Sequence, residues 1–174
     1  MDSLREIWCV DFEFQALPGE RPRPWCMVAR EFHSGRQVRL WLADGPTACP
    51  YPTGADVAVV AFYASAEMGC HLALGWPIPA NLLDLYAEFR NHTNGLTLAA
   101  GSGLLGALAW FGLDGIEAVE KAELRALAIR GEPFTADERL ALLDYCETDV
   151  VALGRLLRAM RARIDWPPGR GCGG

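Results

Sequence analysis

The first ten residues after the start alternate in character. Trp8, Val10, Phe12 and Phe14 fall on one side of an extended chain and Asp11 and Glu13 on the other, the two-residue period of a β-strand over residues 5–14. Two further apolar stretches, 25–32 and 37–42, flank the short turn His33-Ser34-Gly35-Arg36 and predict a hairpin. Residues 57–63 are an unbroken apolar run, the pattern of a buried parallel strand. A helix is predicted over 65–74, stopped by Gly75 with Pro77 and Pro79 beyond it. Residues 82–86 read as a brief fifth strand or a helix start, and 104–111 and 116–130 as helices. The clearest helix start is Thr135-Ala136-Asp137-Glu138, a capping box opening a helix that continues to about residue 164.

A hairpin followed by a buried strand and then helices implies one mixed α/β sheet with helices on its faces, in which sites form at the ends of the central strands. Asp11 and Glu13 are expected at such an end. There is no internal repeat; residues 1–164 read as one domain and 165–174 as a flexible Pro/Gly tail.

Composition narrows the class. With 174 residues, 51% hydrophobic and 22% charged, the chain is an ordinary globular protein with room for a substantial core. No stretch approaches the ~20 apolar residues of a membrane span. The charged first residues run straight into a strand, which reads as no signal peptide. Six cysteines lie scattered without a Cys-x-x-Cys pair, as small core residues do in a reducing cytoplasm. The net charge of −6 argues against holding nucleic acid by bulk electrostatics. Residues 151–174, however, carry five arginines against one aspartate, a net +4 that leaves −10 on the rest. That end suits either a phosphate-contacting surface or a solvated helix terminus.

Asp11 and Glu13 point to the same face roughly 7 Å apart. Two acids in a half-buried strand repel each other and lose hydration, and a divalent cation with oxygen ligands, magnesium or manganese, offsets that cost. On the last helix Tyr145 and Asp149 are four apart and share a face. Beside them the apolar stripe Leu142, Cys146, Val150 and Leu153 marks the inward side, so Asp149 borders the core and can meet a strand carboxylate.

Asp11-Phe12-Glu13 on a first strand with Tyr145-x-x-x-Asp149 on a late helix resembles the DEDDy-type 3′–5′ exonuclease domain. That family includes the proofreading domains of family A DNA polymerases and ribonuclease D-like enzymes. The resemblance covers roughly residues 5–160, and the 69–90 stretch is similar to polymerase proofreading domains. It implies a ribonuclease H-like mixed five-stranded sheet flanked by helices. It also implies two Mg2+ or Mn2+ ions held by Asp11, Glu13 and Asp149, with Tyr145 orienting the attacking water. The family's middle motif, Asn-x-x-Phe/Tyr-Asp, is altered here. Aligning it on residues 61–69 places Glu67 where the fourth carboxylate belongs and Tyr63 near the asparagine; Asp84 is the alternative ligand, and otherwise a supporting acid.

The expected activity is metal-dependent hydrolysis from the 3′ end of single-stranded DNA, in the cytoplasm. The expected partner is a polymerase domain or subunit, with the chain either freestanding or a fragment of a polymerase. An inactive nucleic-acid-binding module and an RNA-trimming exonuclease are the alternatives. Gly101-Ser102-Gly103 reads as a helix-entry loop, His33, His71 and His92 are too dispersed for a site, and Trp76, Trp110 and Phe111 are core before they are base-stacking residues.

Overall fold

A computed structural model describes residues 4–113 and 118–164. Its sheet has five strands: β1 (Glu6–Gln15), β2 (Arg23–Glu31), β3 (Gln37–Trp41), β4 (Val57–Ala61) and β5 (Asn81–Asp84). Their order is β3-β2-β1-β4-β5. The hairpin expected from residues 25–42 is present, since β2 pairs antiparallel with both β1 and β3, while β4 and β5 join the other side in parallel. This mixed five-stranded sheet flanked by helices is the ribonuclease H-like architecture anticipated above.

The helices are α1 (Ala64–Leu74), α2 (Leu85–His92), α3 (Leu104–Trp110), α4 (Ala118–Arg130) and α5 (Ala136–Met160), followed by a 3-10 turn over Arg161–Arg163. The capping box at α5 forms as predicted: Thr135 accepts from the Glu138 amide, and Glu138 accepts from the Thr135 amide. Gly75 closes α1 in the left-handed region at φ 68°, where a glycine carries no steric penalty. Part of the predicted 116–130 helix and all of the 165–174 tail lie outside the described residues.

Two apolar clusters cover the two sheet faces. On one, Ile7 and Cys9 of β1, Trp25, Cys26 and Val28 of β2 and Val60 of β4 pack with Leu142, Cys146, Val150, Leu153, Leu156 and Leu157 of α5. The predicted inward stripe of α5 is therefore the one that docks it across the sheet. Each fully buried leucine contributes on the order of 2 kcal/mol to that docking. On the other face, Trp8, Val10, Phe12, Met27 and Val59 pack with Tyr51, Cys70 and Trp76.

Two of the differences from the sequence reading bear on the site. β4 ends at Ala61, not at residue 63, because Tyr63 turns into the left-handed region (φ 76°, ψ 56°) to start α1. The ambiguous 82–86 segment is both things at once, a strand to Asp84 and then α2, with Asp84 as the N-cap. Among the described residues no helix is long and apolar enough to cross a membrane.

Candidate active site

The β1–β4 ladder runs from Glu6↔Val57 to Cys9↔Val60 and stops, so β1 projects past its parallel neighbour over Val10–Gln15. Asp11 and Glu13 lie on this projecting end, both half-buried and on the same side as Ile7 and Cys9, the side that α5 covers. The pairing with β2 shifts register between Glu13 and Phe14, a bulge at the strand's exit from the site.

Helix α5 is pinned over this end. The Cys146 thiol donates to the Asp11 carbonyl at 3.1 Å. Arg39 of β3 reaches Glu147 at 2.7 Å and also pairs with Asp144. Tyr145 and Asp149 thus flank Cys146 above the strand carboxylates. Burial pushes the Tyr145 phenol well above its ordinary value, and the charges of Asp149, Glu13 and Asp11 push it further; Arg125 of α4 opposes them. Tyr145 consequently stays protonated at neutral pH. Arg125, a cation in reach of this centre, was not singled out in the sequence because nothing in the pattern of 118–130 marks one face as facing the site.

Glu67 approaches from the other side. It sits on the first turns of α1, is only 4% exposed, and its carboxylate accepts the Phe12 amide that β4 no longer reaches. The other oxygen, Oε2, is buried without a hydrogen-bond partner. Burial, then the charges of Asp11 and Glu13 and, more weakly, Asp84, drive the Glu67 carboxyl well above the usual carboxylate range; the Phe12 amide pulls it only partly back. Asp11, Glu13 and Glu67 therefore form one electrostatically linked group at the carboxyl ends of β1 and β4.

Asp84 has a different task. Its Oδ1 accepts from the amides of Tyr63 (3.0 Å), Tyr86 (2.9 Å) and Ala87 (3.4 Å), and its Oδ2 from that of Ala64 (3.0 Å). One carboxylate thereby caps α2 and clamps the start of α1, the helix that carries Glu67. The clamp also holds Tyr63 where a bulky residue stores about 1–3 kcal/mol of backbone strain.

The acids suit a hard divalent cation by chemistry. Oxygen ligands predominate, their mutual repulsion calls for a counter-charge, and the orphaned Glu67 Oε2 is a buried acceptor with nothing to accept. Among the described residues, no group of three or more His, Cys, Asp or Glu side chains is already arranged to hold a metal ion.

The remaining sequence candidates fall outside the site. His71 is fully buried between the Tyr51 hydroxyl (2.6 Å) and the Pro77 carbonyl (2.9 Å), and Trp76 is core. Gly103 caps α3, the helix-entry role expected of Gly101-Ser102-Gly103, and Trp110 is 42% exposed. Cys9, Cys26, Cys70 and Cys146 are free and buried, as small core residues.

The five-stranded mixed sheet with its flanking helices is a ribonuclease H-like fold, the fold of an exonuclease domain. Solved structures share it, two of them as follows. One is a nuclease in its apo form, with 16% identity and a TM-score of 0.65 over 91% of this chain and 73% of that one. The other is the EXO domain of Aedes aegypti Nibbler, with 9% identity and a TM-score of 0.54 over 92% of this chain and 83% of that one. No family model and no curated protein matches the chain.

Proposed function

We propose that this protein is a metal-dependent 3′–5′ exonuclease that hydrolyses single-stranded DNA. The observation that supports the reading is the electrostatic linkage of Asp11 and Glu13 on β1 with Glu67 on α1 and Tyr145 on α5, the helix that the Cys146–Asp11 hydrogen bond ties to the same strand. The fold shared with a nuclease and an exonuclease domain supports it, and the resemblance of the Asp-x-Glu and Tyr-x-x-x-Asp motifs supplies the 3′ direction.

Asp11, Glu13 and Asp149 would hold two divalent ions, with Glu67 completing the set through its unpartnered oxygen. When bound, such ions polarise a phosphodiester and lower the pKa of water. The chain's own residues do the rest. The protonated Tyr145 phenol donates a hydrogen bond that orients the attacking water. Cation charge at this acidic end also lets a protein of net charge −6 accept a polyanion.

A non-catalytic nucleic-acid-binding module is the second reading, favoured by the altered middle motif, in which Glu67 and Tyr63 stand where the resembled family has aspartate and asparagine. One assay separates the two. Single-stranded DNA and RNA of equal sequence, labelled at the 5′ end, are incubated with Mg2+, Mn2+ or EDTA. A metal-dependent ladder shortening from the 3′ end is the expected result, with DNA the better substrate. Binding without cleavage in every metal leaves the module.

A further inference from the structure

Among the described residues, Tyr63 is the only non-glycine with a positive φ, and its side chain is 54% exposed. Its backbone work is fully specified: the amide donates to Asp84 at 3.0 Å and the carbonyl accepts the Ala66 amide at 3.0 Å. A glycine would do both without strain. What the tyrosine adds at this position is its ring. That ring is braced on one side by Tyr86, with centroids 5.2 Å apart and planes at 66°, and Tyr86 in turn packs against Phe62 at 5.7 Å. The brace limits the rotamers open to an exposed aromatic while leaving ring surface to solvent. Tyr63 also caps the helix that carries Glu67, and its amide is held by Asp84, whose charge acts on the Glu67 carboxyl. That shared partner puts Tyr63 on the Asp84 side of the acidic site.

We propose that Tyr63 is a stacking residue of this site, receiving an unpaired nucleobase near the 3′ end of the strand being hydrolysed. The inference rests on the nuclease reading and adds to it a source of single-strand preference, because an unpaired base can turn its face to the ring at any of these positions, whereas a paired one offers a face only at the end of its duplex. Asp84 gains a second purpose: it holds the turn that presents the ring as well as the helix that carries Glu67. Stacking on an aromatic face needs no hydrogen-bond readout, so the contact tolerates any base.

The test uses the chain with Asp11→Asn, so that cleavage does not intervene, and fluorescence anisotropy on oligonucleotides carrying an abasic nucleotide at each of the last three positions in turn. Removing the base at one position should weaken binding by about tenfold, the usual scale of one stacked base. Adding Tyr63→Gly should weaken binding of the intact strand by the same factor and abolish the abasic penalty, whereas Tyr63→Phe should behave as the parent. Tyr63→Gly should also melt no lower than the parent, since glycine takes this conformation freely. If Tyr63→Gly keeps the abasic penalty, or melts well below the parent, the ring is packing and the inference is overturned while the nuclease reading stands. If the parent binds no oligonucleotide, both fall together.

Discussion

Replacing Asp84 by alanine removes one carboxylate and leaves four amides without their acceptor. Loss of the α2 cap alone costs about 1 kcal/mol. The second half of the loss falls on the β4–α1 turn, where the amide of buried Ala64 is left unsatisfied, which costs about 1–3 kcal/mol. The two together come to about 2–4 kcal/mol, because the bonds share one acceptor and are not additive. For a chain of this length that is a fall in melting temperature of about 5–15 °C. Asp84→Asn supplies an internal control. Its carbonyl can occupy the Oδ1 position and keep Tyr63 and Tyr86, while its amide group meets the Ala64 amide donor to donor. It should therefore lose about half as much. Thermal melts and urea titrations of the three proteins in EDTA read this directly. The clamp is refuted if Asp84→Ala melts within about a degree of the parent, or if Asp84→Asn is the more damaging change.

Three further outcomes follow from the same geometry. The Glu67 carboxyl is raised above its unfolded value, so its contribution to stability is full below the unfolded carboxylate range and is lost as pH rises through the folded value. Metal-free protein should thus melt progressively lower as pH climbs from about 4.5, and Glu67→Gln should flatten that slope and raise the melting temperature at neutral pH. Glu31 behaves oppositely. Burial works against its charge, but the Ser34 amide and hydroxyl and the Ile7 and His33 amides outweigh it and hold the carboxyl below its ordinary range. Its stability is present above the unfolded value and lost as pH falls through the folded one, so Glu31→Gln should be destabilised at pH 7 and show a shallower acid limb in melts below about pH 4. Tyr145→Phe should lower the rate of DNA shortening by about 10–100-fold with little change in KM, and the parent's pH–rate profile should show no phenol ionisation below pH 10.

The parts of this site that are local in sequence were legible there. Asp11 and Glu13 share a face because strands have a period of two, and Tyr145 and Asp149 share one because they are four apart on a helix. Even their meeting was foreshadowed, since the stripe Leu142, Cys146, Val150 and Leu153 could only point α5 inward. The contribution of Glu67 was visible as a position, an acid one turn into a helix after a buried strand. Its burial and its lone oxygen were not, because they depend on β1 outrunning β4 by several residues. Asp84 shows the limit most plainly. As a residue it looked like an acid ending a strand; its partners at Tyr63 and Ala64 lie about twenty positions upstream and meet it only across the β4–β5 ladder. The early end of β4 has the same cause, since an apolar run cannot announce that Tyr63 will be pulled into a left-handed turn. Arg125 was hidden because the sequence of α4 does not declare which side meets the sheet.

The proposed exonuclease depends most directly on Glu67 as its fourth carboxylate. The measurement is the initial rate of 3′ shortening of 5′-labelled single-stranded DNA across a Mn2+ titration, for the parent and for Glu67→Gln. The substitution should lower the rate at least about 100-fold at saturating metal and shift the half-saturating Mn2+ concentration upward. A Glu67→Gln protein that shortens DNA at the parent's rate and with the parent's metal dependence would contradict it.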